Sequence, residues 1–327
     1  MKLIQRQRPA LVLLAVLGVV TILVHDRAVW LDTSVVIAIY SLLALSVGIS
    51  YGQAGILSVA QAAFASIGAY ATAIVTVRYH LPALVGLGLA LLLPALVAYP
   101  LARLTSRLSP LAIAIATLVF GQAVDIGLRE GGDFTGGYIG LSGIPPVPFA
   151  SSLLQYHLLA WCLVLLVVAG ISNLLDSGFG RAVSTLRADT FRAVADGVDV
   201  PHTRSAMLAL SASVAGLGGW LYAHHITYVG PDSLGPSTSL SVLLMAVVGG
   251  AQSVLGPVAG AALLTLIIKF IPSQEVQGMF YGGALIAVLV LAPGGLADLQ
   301  RLLRSRLAAP SAAAGKGNLP SAARDAS

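Results

Sequence analysis

The sequence predicts an all-α polytopic membrane protein, a helix bundle of about ten transmembrane or part-spanning helices. Of its 327 residues, 57% are hydrophobic and only 9% are charged, a composition outside the range of water-soluble proteins. Apolar stretches close to the roughly 20 residues that cross a bilayer recur along the chain, and the short alternating strands of a membrane barrel do not. The spans are therefore expected to be helices.

Ten apolar stretches give the order of the predicted spans. The first follows Lys2, Arg6 and Arg8 and resembles a secretory signal, but His25 and Asp26 follow it directly, without a small-x-small cleavage site. We interpret it as an uncleaved span. The predicted spans are 10–24, 33–50, 55–77, 82–101, 110–128, 153–175, 206–228, 238–250, 256–271 and 279–292.

The placement of basic residues supports ten crossings. With the N-terminus in the cytoplasm, alternation puts Arg103, the long loop 176–205 and the arginines that follow residue 300 on the cytoplasmic side, as the positive-inside rule requires. A cytoplasmic C-terminus needs an even number of spans. Gly249, Gly250 and Pro257 interrupt the stretch 238–271, so one interrupted span there, and nine in total, stays an alternative.

Domain organisation follows from composition. Residues 1–307 are expected to form one transmembrane domain with a cytoplasmic loop at 176–205. Residues 308–327 are mostly Ala, Ser, Pro and Gly and predict a disordered cytoplasmic tail. The longest outward loop, 131–152, is rich in Gly and contains Pro145-Pro146, which favours an ordered cap over a loose linker.

Small residues recur every four positions in two spans, and such seams let helix backbones approach closely in lipid. Either seam can serve ordinary packing or border the route of a solute. One seam is Ser211, Ala215, Gly219 and Ala223, and the other is Ala65, Ala69 and Ala73.

Polar side chains make the third span unusual. Gln53, Ser58 and Gln61 lie in or beside an apolar segment, where polar groups are unfavourable unless they face protein or water. We take them as candidate pore-lining residues, with hydrogen bonding between helices as the alternative.

Few residues are candidates for proton transfer, metal binding or disulfide formation. Asp125 lies within a turn of the end of its span, so an interfacial position is favoured over a proton relay. His224 and His225 are adjacent and point about 100° apart on a helix, which favours packing over chelation. Cys162 stands alone, so neither an intrachain disulfide nor a cysteine metal site is expected. No catalytic residue, metal or cofactor is predicted.

The loop 176–205 is much longer than a turn between helices requires. Phe191, Val194, Ala195 and Val198 recur at helical spacing. Arg192, Asp196 and Asp199 fall on the other side, Asp189 is a plausible N-cap, and Pro201 ends the pattern. The pattern predicts a short amphipathic cytoplasmic helix, which at about ten residues should dock on the membrane surface or on another protein.

Three blocks between residues 45 and 293 resemble the permeases of branched-chain amino-acid ABC importers, in particular the LivM-like subunit. The first block is Gly55-Ile56-Leu57-Ser58, Gln61-Ala62-Ala63-Phe64 and Ile67-Gly68-Ala69-Tyr70. The second is Phe120-Gly121, Thr135-Gly136-Gly137 and residues 140–146. The third is Gly180-Arg181-Ala182, the short helix to Gly197, Ala215-Gly216-Leu217, Leu221-Tyr222-Ala223, and residues 245–250 and 256–261.

The resemblance implies that residues 189–199 form a helix that couples the permease to an ATPase. It also implies a second, LivH-like permease subunit, two cytoplasmic ATPase subunits, a periplasmic solute-binding protein and a bacterial inner membrane. The sequence contains no Gly-x-x-x-x-Gly-Lys-Ser/Thr phosphate loop, so ATP hydrolysis is expected on a separate polypeptide. The alternatives are an autonomous channel or secondary transporter for a small polar solute such as urea or a short amide, and a membrane scaffold.

Overall fold

The computed structural model describes residues 8–106, 108–270 and 283, and this part of the chain is mostly helical with almost no sheet, which confirms the all-α class. Its helices are α1 (Arg8–Val24), α2 (Ala28–Val47), α3 (Gln61–Ala73), α4 (Ala83–Thr105), α5 (Pro110–Glu130), α6 (Gly132–Thr135), α7 (Leu153–Leu175), α8 (Gly178–Ala188), α9 (Thr190–Ala195), α10 (Val200–Ile226), α11 (Pro236–Gly249) and α12 (Gly256–Lys269). π-Helical segments Gly48–Gln53 and Ile74–Arg78 continue α2 and α3, and Pro231–Leu234 is a 3-10 turn.

Within the described residues, six helices are long and apolar enough to cross a membrane. They are Ala28–Gln53, Ala83–Thr105, Pro110–Glu130, Leu153–Leu175, Val200–Ile226 and Pro231–Gly249. The shorter helices α1 and α12 are also apolar. The last predicted span, 279–292, and the tail 308–327 lie outside the described residues.

Two predicted spans begin six residues away from the expected position. The span predicted for 55–77 is helical only from Gln61, because residues 55–60 are irregular and lead into α3. The span predicted for 206–228 begins at Val200, where the Asp199 carboxylate accepts a hydrogen bond from the His202 amide at 3.0 Å. Pro201 therefore lies in the first turn of α10, where proline is tolerated, and does not end the preceding helix.

Where a single merged span over 238–271 was the alternative, the described residues form two helices, Pro236–Gly249 and Gly256–Lys269, so the merged span is wrong. A Cβ atom on Gly249 would lie 1.8 Å from the Gly256 carbonyl oxygen, and one on Gly260 would lie 1.9 Å from that of Met245. These pairings run in opposite directions along the chain, which makes α11 and α12 an antiparallel hairpin. Each helix has 14 residues and is about 21 Å long, which is shorter than a bilayer core of roughly 30 Å. Only together with the preceding 3-10 turn does α11 form the candidate span Pro231–Gly249.

The connections alternate between two ends of the bundle, which we name the α8–α9 end and the cap end, the latter carrying residues 131–152. At the α8–α9 end, Arg204 donates to the Ser106 carbonyl oxygen at 3.0 Å. At the cap end, His225 lies 3.0 Å from Asp32. Among the charged residues whose side chains the structure describes, the α8–α9 end carries five basic ones (Arg103, Arg181, Arg187, Arg192 and Arg204) and four acidic ones (Asp176, Asp189, Asp196 and Asp199). The cap end carries four basic ones (Arg27, Arg78, Arg129 and Lys269) and six acidic ones (Asp26, Asp32, Asp125, Glu130, Asp133 and Asp232). The loops predicted to be cytoplasmic therefore share one end.

Helix α10 lies at the centre of the bundle and packs on α2, α3 and α4. A Cβ atom on Gly219 would lie 2.0 Å from the Ala65 carbonyl oxygen and 3.0 Å from the Ala69 amide nitrogen. The two predicted seams of small residues thus face each other. Ser211, Ala215 and Ala223 are each 0% exposed and complete the α10 side of this contact.

The outward loop forms an ordered cap, as predicted. Strand β1 (Leu141–Ser142) pairs antiparallel with β2 (Tyr228–Val229), which joins the loop to the end of α10. Within the loop, the side chains of Ile144, Val147 and Ala150 are almost fully buried. The cap is therefore packed on the bundle.

Candidate functional site

Helix α8 attaches the long loop to the bundle. The Ser177 hydroxyl caps it by accepting a hydrogen bond from the Gly180 amide at 3.2 Å. Val183 is 1% exposed and joins the main core, and Leu186 is 3% exposed and packs against the next helix. The side chain of Arg187 passes close to Gly55, at the end of the π-helical segment that follows α2. The beginning of the loop is therefore packed against the bundle.

Helix α9 has defined ends. The Asp189 carboxylate accepts hydrogen bonds from the Phe191 and Arg192 amides at 2.8 and 3.3 Å, which confirms Asp189 as the N-cap. Gly197 has a φ of +79°, and its amide donates to the Val194 carbonyl oxygen at 3.0 Å. The Val198 amide donates to the Ala193 carbonyl oxygen at 2.9 Å. This pair of bonds is a Schellman motif, which stops the helix where the sequence pattern continues.

The exposed face of α9 is apolar. Phe191 is 89% exposed and Val194 is 60% exposed, and Ala195 is also exposed. Ala193 lies on the opposite side, where it is 0% exposed and packs with Leu186 and Val200.

The predicted amphipathic stripe needs two corrections. Val198 does not continue the face of Phe191 and Val194, because the turn at Gly197 directs it back against Ala193. The helix covers only Thr190–Ala195, six residues where about ten were predicted. Arg192 and Asp196 are both exposed and lie 3.9 Å apart, a pairing of little energetic weight.

Helix α8 and the role of Ala193 are absent from the sequence prediction. Phe179, Val183 and Leu186 stand at i, i+4 and i+7 after a capping serine, a pattern that predicts a helix. Ala193 gives no such signal, because one alanine does not reveal which side of a short helix is buried.

Gln61 lies inside the bundle and is 1% exposed. Its Oε1 atom accepts hydrogen bonds from the hydroxyls of Ser46 and Ser211 at 3.1 and 3.3 Å, and its Nε2 donates to the Ser50 hydroxyl at 3.1 Å. The Ser211 hydroxyl also lies 2.6 Å from the Ser46 carbonyl oxygen. These bonds join α2, its π-helical extension, α3 and α10. They are the hydrogen bonds between helices that were expected as the alternative to a pore-lining role. A pore-lining role for Gln61 stays a prediction.

The other two pore candidates are near this network but separate from it. Ser58 is 0% exposed, and its hydroxyl accepts a hydrogen bond from the Ala60 amide at 3.4 Å. Gln53 is half-buried and donates to the Gln252 carbonyl oxygen at 2.9 Å, which ties the π-helical segment to the turn of the α11–α12 hairpin. All three candidates therefore make contacts within the chain.

The two histidines at the end of α10 have separate partners. His224 lies 2.7 Å from the Pro145 carbonyl oxygen and packs edge-on against Trp220. His225 contacts Asp32 and stacks on Tyr156. In the described part of the chain, no group of three or more His, Cys, Asp or Glu side chains is placed to hold a metal ion.

Comparison with known proteins gives a consistent result. A family model described as the permease component of branched-chain amino acid transport systems matches residues 29–289. The chain is 29% identical over 324 residues to the high-affinity branched-chain amino acid transport system permease protein LivM of Escherichia coli strain K12, covering 90% of this chain and 76% of that protein. It is 28% identical over 298 residues to LivM of Salmonella typhimurium strain LT2, covering 83% and 70% respectively. No solved structure gives a significant match.

Proposed function

The chain belongs to the family of branched-chain amino acid transport permeases, and from this premise we propose that it is the permease subunit of an ATP-driven, ATP-binding-cassette importer. It is a multi-pass membrane protein and a transporter subunit. The ATPase, the second permease and the direction of transport are parts of the proposal.

One observation carries the proposal: α9 presents Phe191 and Val194 to its surroundings from a helix that is itself firmly attached. An exposed phenylalanine on a capped, packed helix marks a surface for another molecule more strongly than one on a mobile segment. We assign the ATPase as its partner. Asp189 and the Gly197 turn hold the helix, while Ala193 seats it on α8.

The solute and its route follow from the relatives. Both LivM proteins are described as parts of high-affinity branched-chain amino acid systems, so we propose leucine, isoleucine, valine or a related compound as the solute. A periplasmic binding protein would deliver it to the cap end of a permease pair made of this chain and a LivH-like subunit. The α8–α9 end, which carries the loops expected in the cytoplasm, would face two cytoplasmic ATPases.

The contacts of α8 give a path by which ATPase movement reaches the bundle. A displacement of α9 would press on Leu186 through Ala193 and would move α8, which lies beside Gly55. The adjoining π-helical segment contains Ser50, whose hydroxyl is bonded to Gln61. Docked helices with two discrete arrangements can convert such a movement into alternating access.

Uptake by vesicles tests the function. The reconstituted complex of both permeases, both ATPases and the binding protein should accumulate branched-chain amino acids only with ATP, and should not accumulate urea or short amides. Undiminished flux from this chain alone, or without ATP, would instead identify a channel or secondary transporter. Absence of any flux with every partner present would indicate a scaffold.

A further inference from the structure

A cleft opens between α3, α5 and the beginning of α11, on the cap side of the bundle. Its polar lining consists of Ser66, Asp125 and Ser239, and its apolar lining includes Ala63, Val124 and Leu234. In this conformation it has room for about one water molecule, so a larger ligand must widen it.

An ion-pair bridge lies beside the cleft. Arg129 Nε donates to Asp125 at 2.9 Å, its Nη2 lies 3.4 Å from the other carboxylate oxygen, and Nη2 also contacts Asp232 in the 3-10 turn before α11. The bridge joins α5 to that turn. Arg129 lies one helical turn beyond Asp125, just outside the cleft lining, and its bonds to the two aspartates use Nε and Nη2. Asp125, which is 13% exposed, retains lone pairs for another donor.

The hydroxyl of Tyr70, on the cap side of α3, is buried and has no hydrogen-bond partner among the described residues. The residue as a whole is 2% exposed. Tyr70 is not part of the cleft lining itself, but it lies one turn beyond Ser66 on the α3 face that carries Ala63 and Ser66. Asp125 and Arg129 lie within electrostatic range of it. A buried polar group without a partner is unfavourable, so a ligand carboxylate that reached this hydroxyl would gain a hydrogen bond from a group that is already desolvated.

We propose that this cleft is a transit site for a zwitterionic aliphatic α-amino acid, whose ammonium group binds Asp125 and whose carboxylate binds Arg129 in place of their mutual ion pair. The proposal rests on the function proposed above and adds the binding groups. Exchange of one ion pair for two keeps every charge paired as the ligand enters. The Tyr70 hydroxyl donates to the ligand carboxylate, and the side chain of the ligand lies among Ala63, Val124 and Leu234.

This geometry selects for both charges of the ligand at once. A ligand without the ammonium group would leave Asp125 facing only Arg129, and a ligand without the carboxylate would leave Arg129 without a new acceptor. Each loss removes a charge-assisted hydrogen bond and should weaken binding by about tenfold or more. Urea, which has neither charge, should not compete.

Binding to the purified chain in lipid nanodiscs tests the ligand side without a substitution. L-Leucine should bind saturably at millimolar concentration or below, whereas leucinamide and 4-methylpentanoate should each bind about tenfold more weakly or worse. Equal binding of leucine and 4-methylpentanoate, or no saturable binding of leucine, would overturn the proposal.

Substitutions test the protein side. Asp125→Asn should weaken leucine binding by about tenfold or more and leave 4-methylpentanoate unchanged, while Arg129→Gln should weaken leucine and leave leucinamide unchanged. Asp232→Asn is the matched control, since it breaks the same bridge but keeps both ligand-binding groups, and it should retain leucine binding. Equal loss in all three variants would show that the bridge only stabilises the bundle and would overturn the site.

Uptake by the whole complex separates this site from the proposed function. If the wild-type complex takes up leucine with ATP and the Asp125→Asn and Arg129→Gln complexes do so with unchanged KM and maximal rate, the importer stands and the site is wrong. If the wild-type complex takes up no amino acid, the function itself is wrong.

Discussion

The core around α10 is tightly packed, whereas the surface of α9 leaves apolar side chains exposed. At Gly219 the backbone of α3 approaches so closely that no side chain fits, and the nearby Gln61 amide bonds to hydroxyls of the same chain. Six residues form α9, whose Ala193 is buried while Phe191 remains 89% exposed. The described part of the chain therefore buries its membrane core, whereas the apolar face of α9, for which we propose an ATPase partner, remains exposed.

The largest effect should come from filling the close approach in the core. Gly219→Leu places a side chain where the Ala65 carbonyl oxygen would lie 2.0 Å from its Cβ atom, and should reduce stability by about 3 kcal/mol or more. Thermal unfolding in detergent, followed by size-exclusion chromatography, would show this as a loss of monodisperse protein. Gly170→Leu on α7 is the control, because nothing lies within 4 Å of its Cβ position. Equal behaviour of the two variants would contradict the tight core.

A smaller effect is expected from the buried network. Gln61→Leu removes three hydrogen bonds, but Ser46 and Ser211 keep backbone acceptors, so stability should fall by about 1–2 kcal/mol. Gln122→Leu on the exposed face of α5 supplies the comparison and should change little. A thermal shift no larger for Gln61→Leu than for Gln122→Leu would indicate that the network contributes nothing to folding.

In α9, the substitution Asp189→Ala should lower the local stability of this helix and leave the rest of the bundle unchanged. Loss of the cap costs about 1 kcal/mol locally, because the Phe191 and Arg192 amides lose their acceptor. Hydrogen exchange should accelerate at these two amides and stay unchanged in α10. Asp196→Ala removes only an exposed pairing at 3.9 Å and should leave both rates as they are. Faster exchange throughout the bundle would show that α9 is part of the core.

Much of the membrane core was predictable, because apolar length and charge placement act on whole helices. The N-cap preference of aspartate identified Asp189, and the four-residue spacing of small residues identified the seams at Gly219 and Ala65. Local backbone events were harder to predict: the irregular stretch before Gln61 is as apolar as the helix it precedes. The turn at Gly197 interrupts a side-chain period that continues through Val198, so periodicity alone extended α9 too far.

The apolar face of α9 was predicted from the sequence, but the way the helix is oriented on the bundle was not. The spacing of Phe191 and Val194 marked an apolar face, yet only the structure shows that Ala193 seats the helix and leaves that face open. The polar partners of Gln61 lie 11 to 150 residues away in sequence, so no local pattern could have assigned them.

The most direct test of the central claim is co-purification of the ATPase with a Phe191→Asp variant. Phe191 makes no contribution to the core, so the variant should insert and unfold like wild type, within about 0.5 kcal/mol. It should nevertheless lose the ATPase, while Phe149→Asp, which alters a 55% exposed phenylalanine of the cap, should retain it. Wild-type recovery of the ATPase with Phe191→Asp would contradict the assignment of α9 as the docking surface.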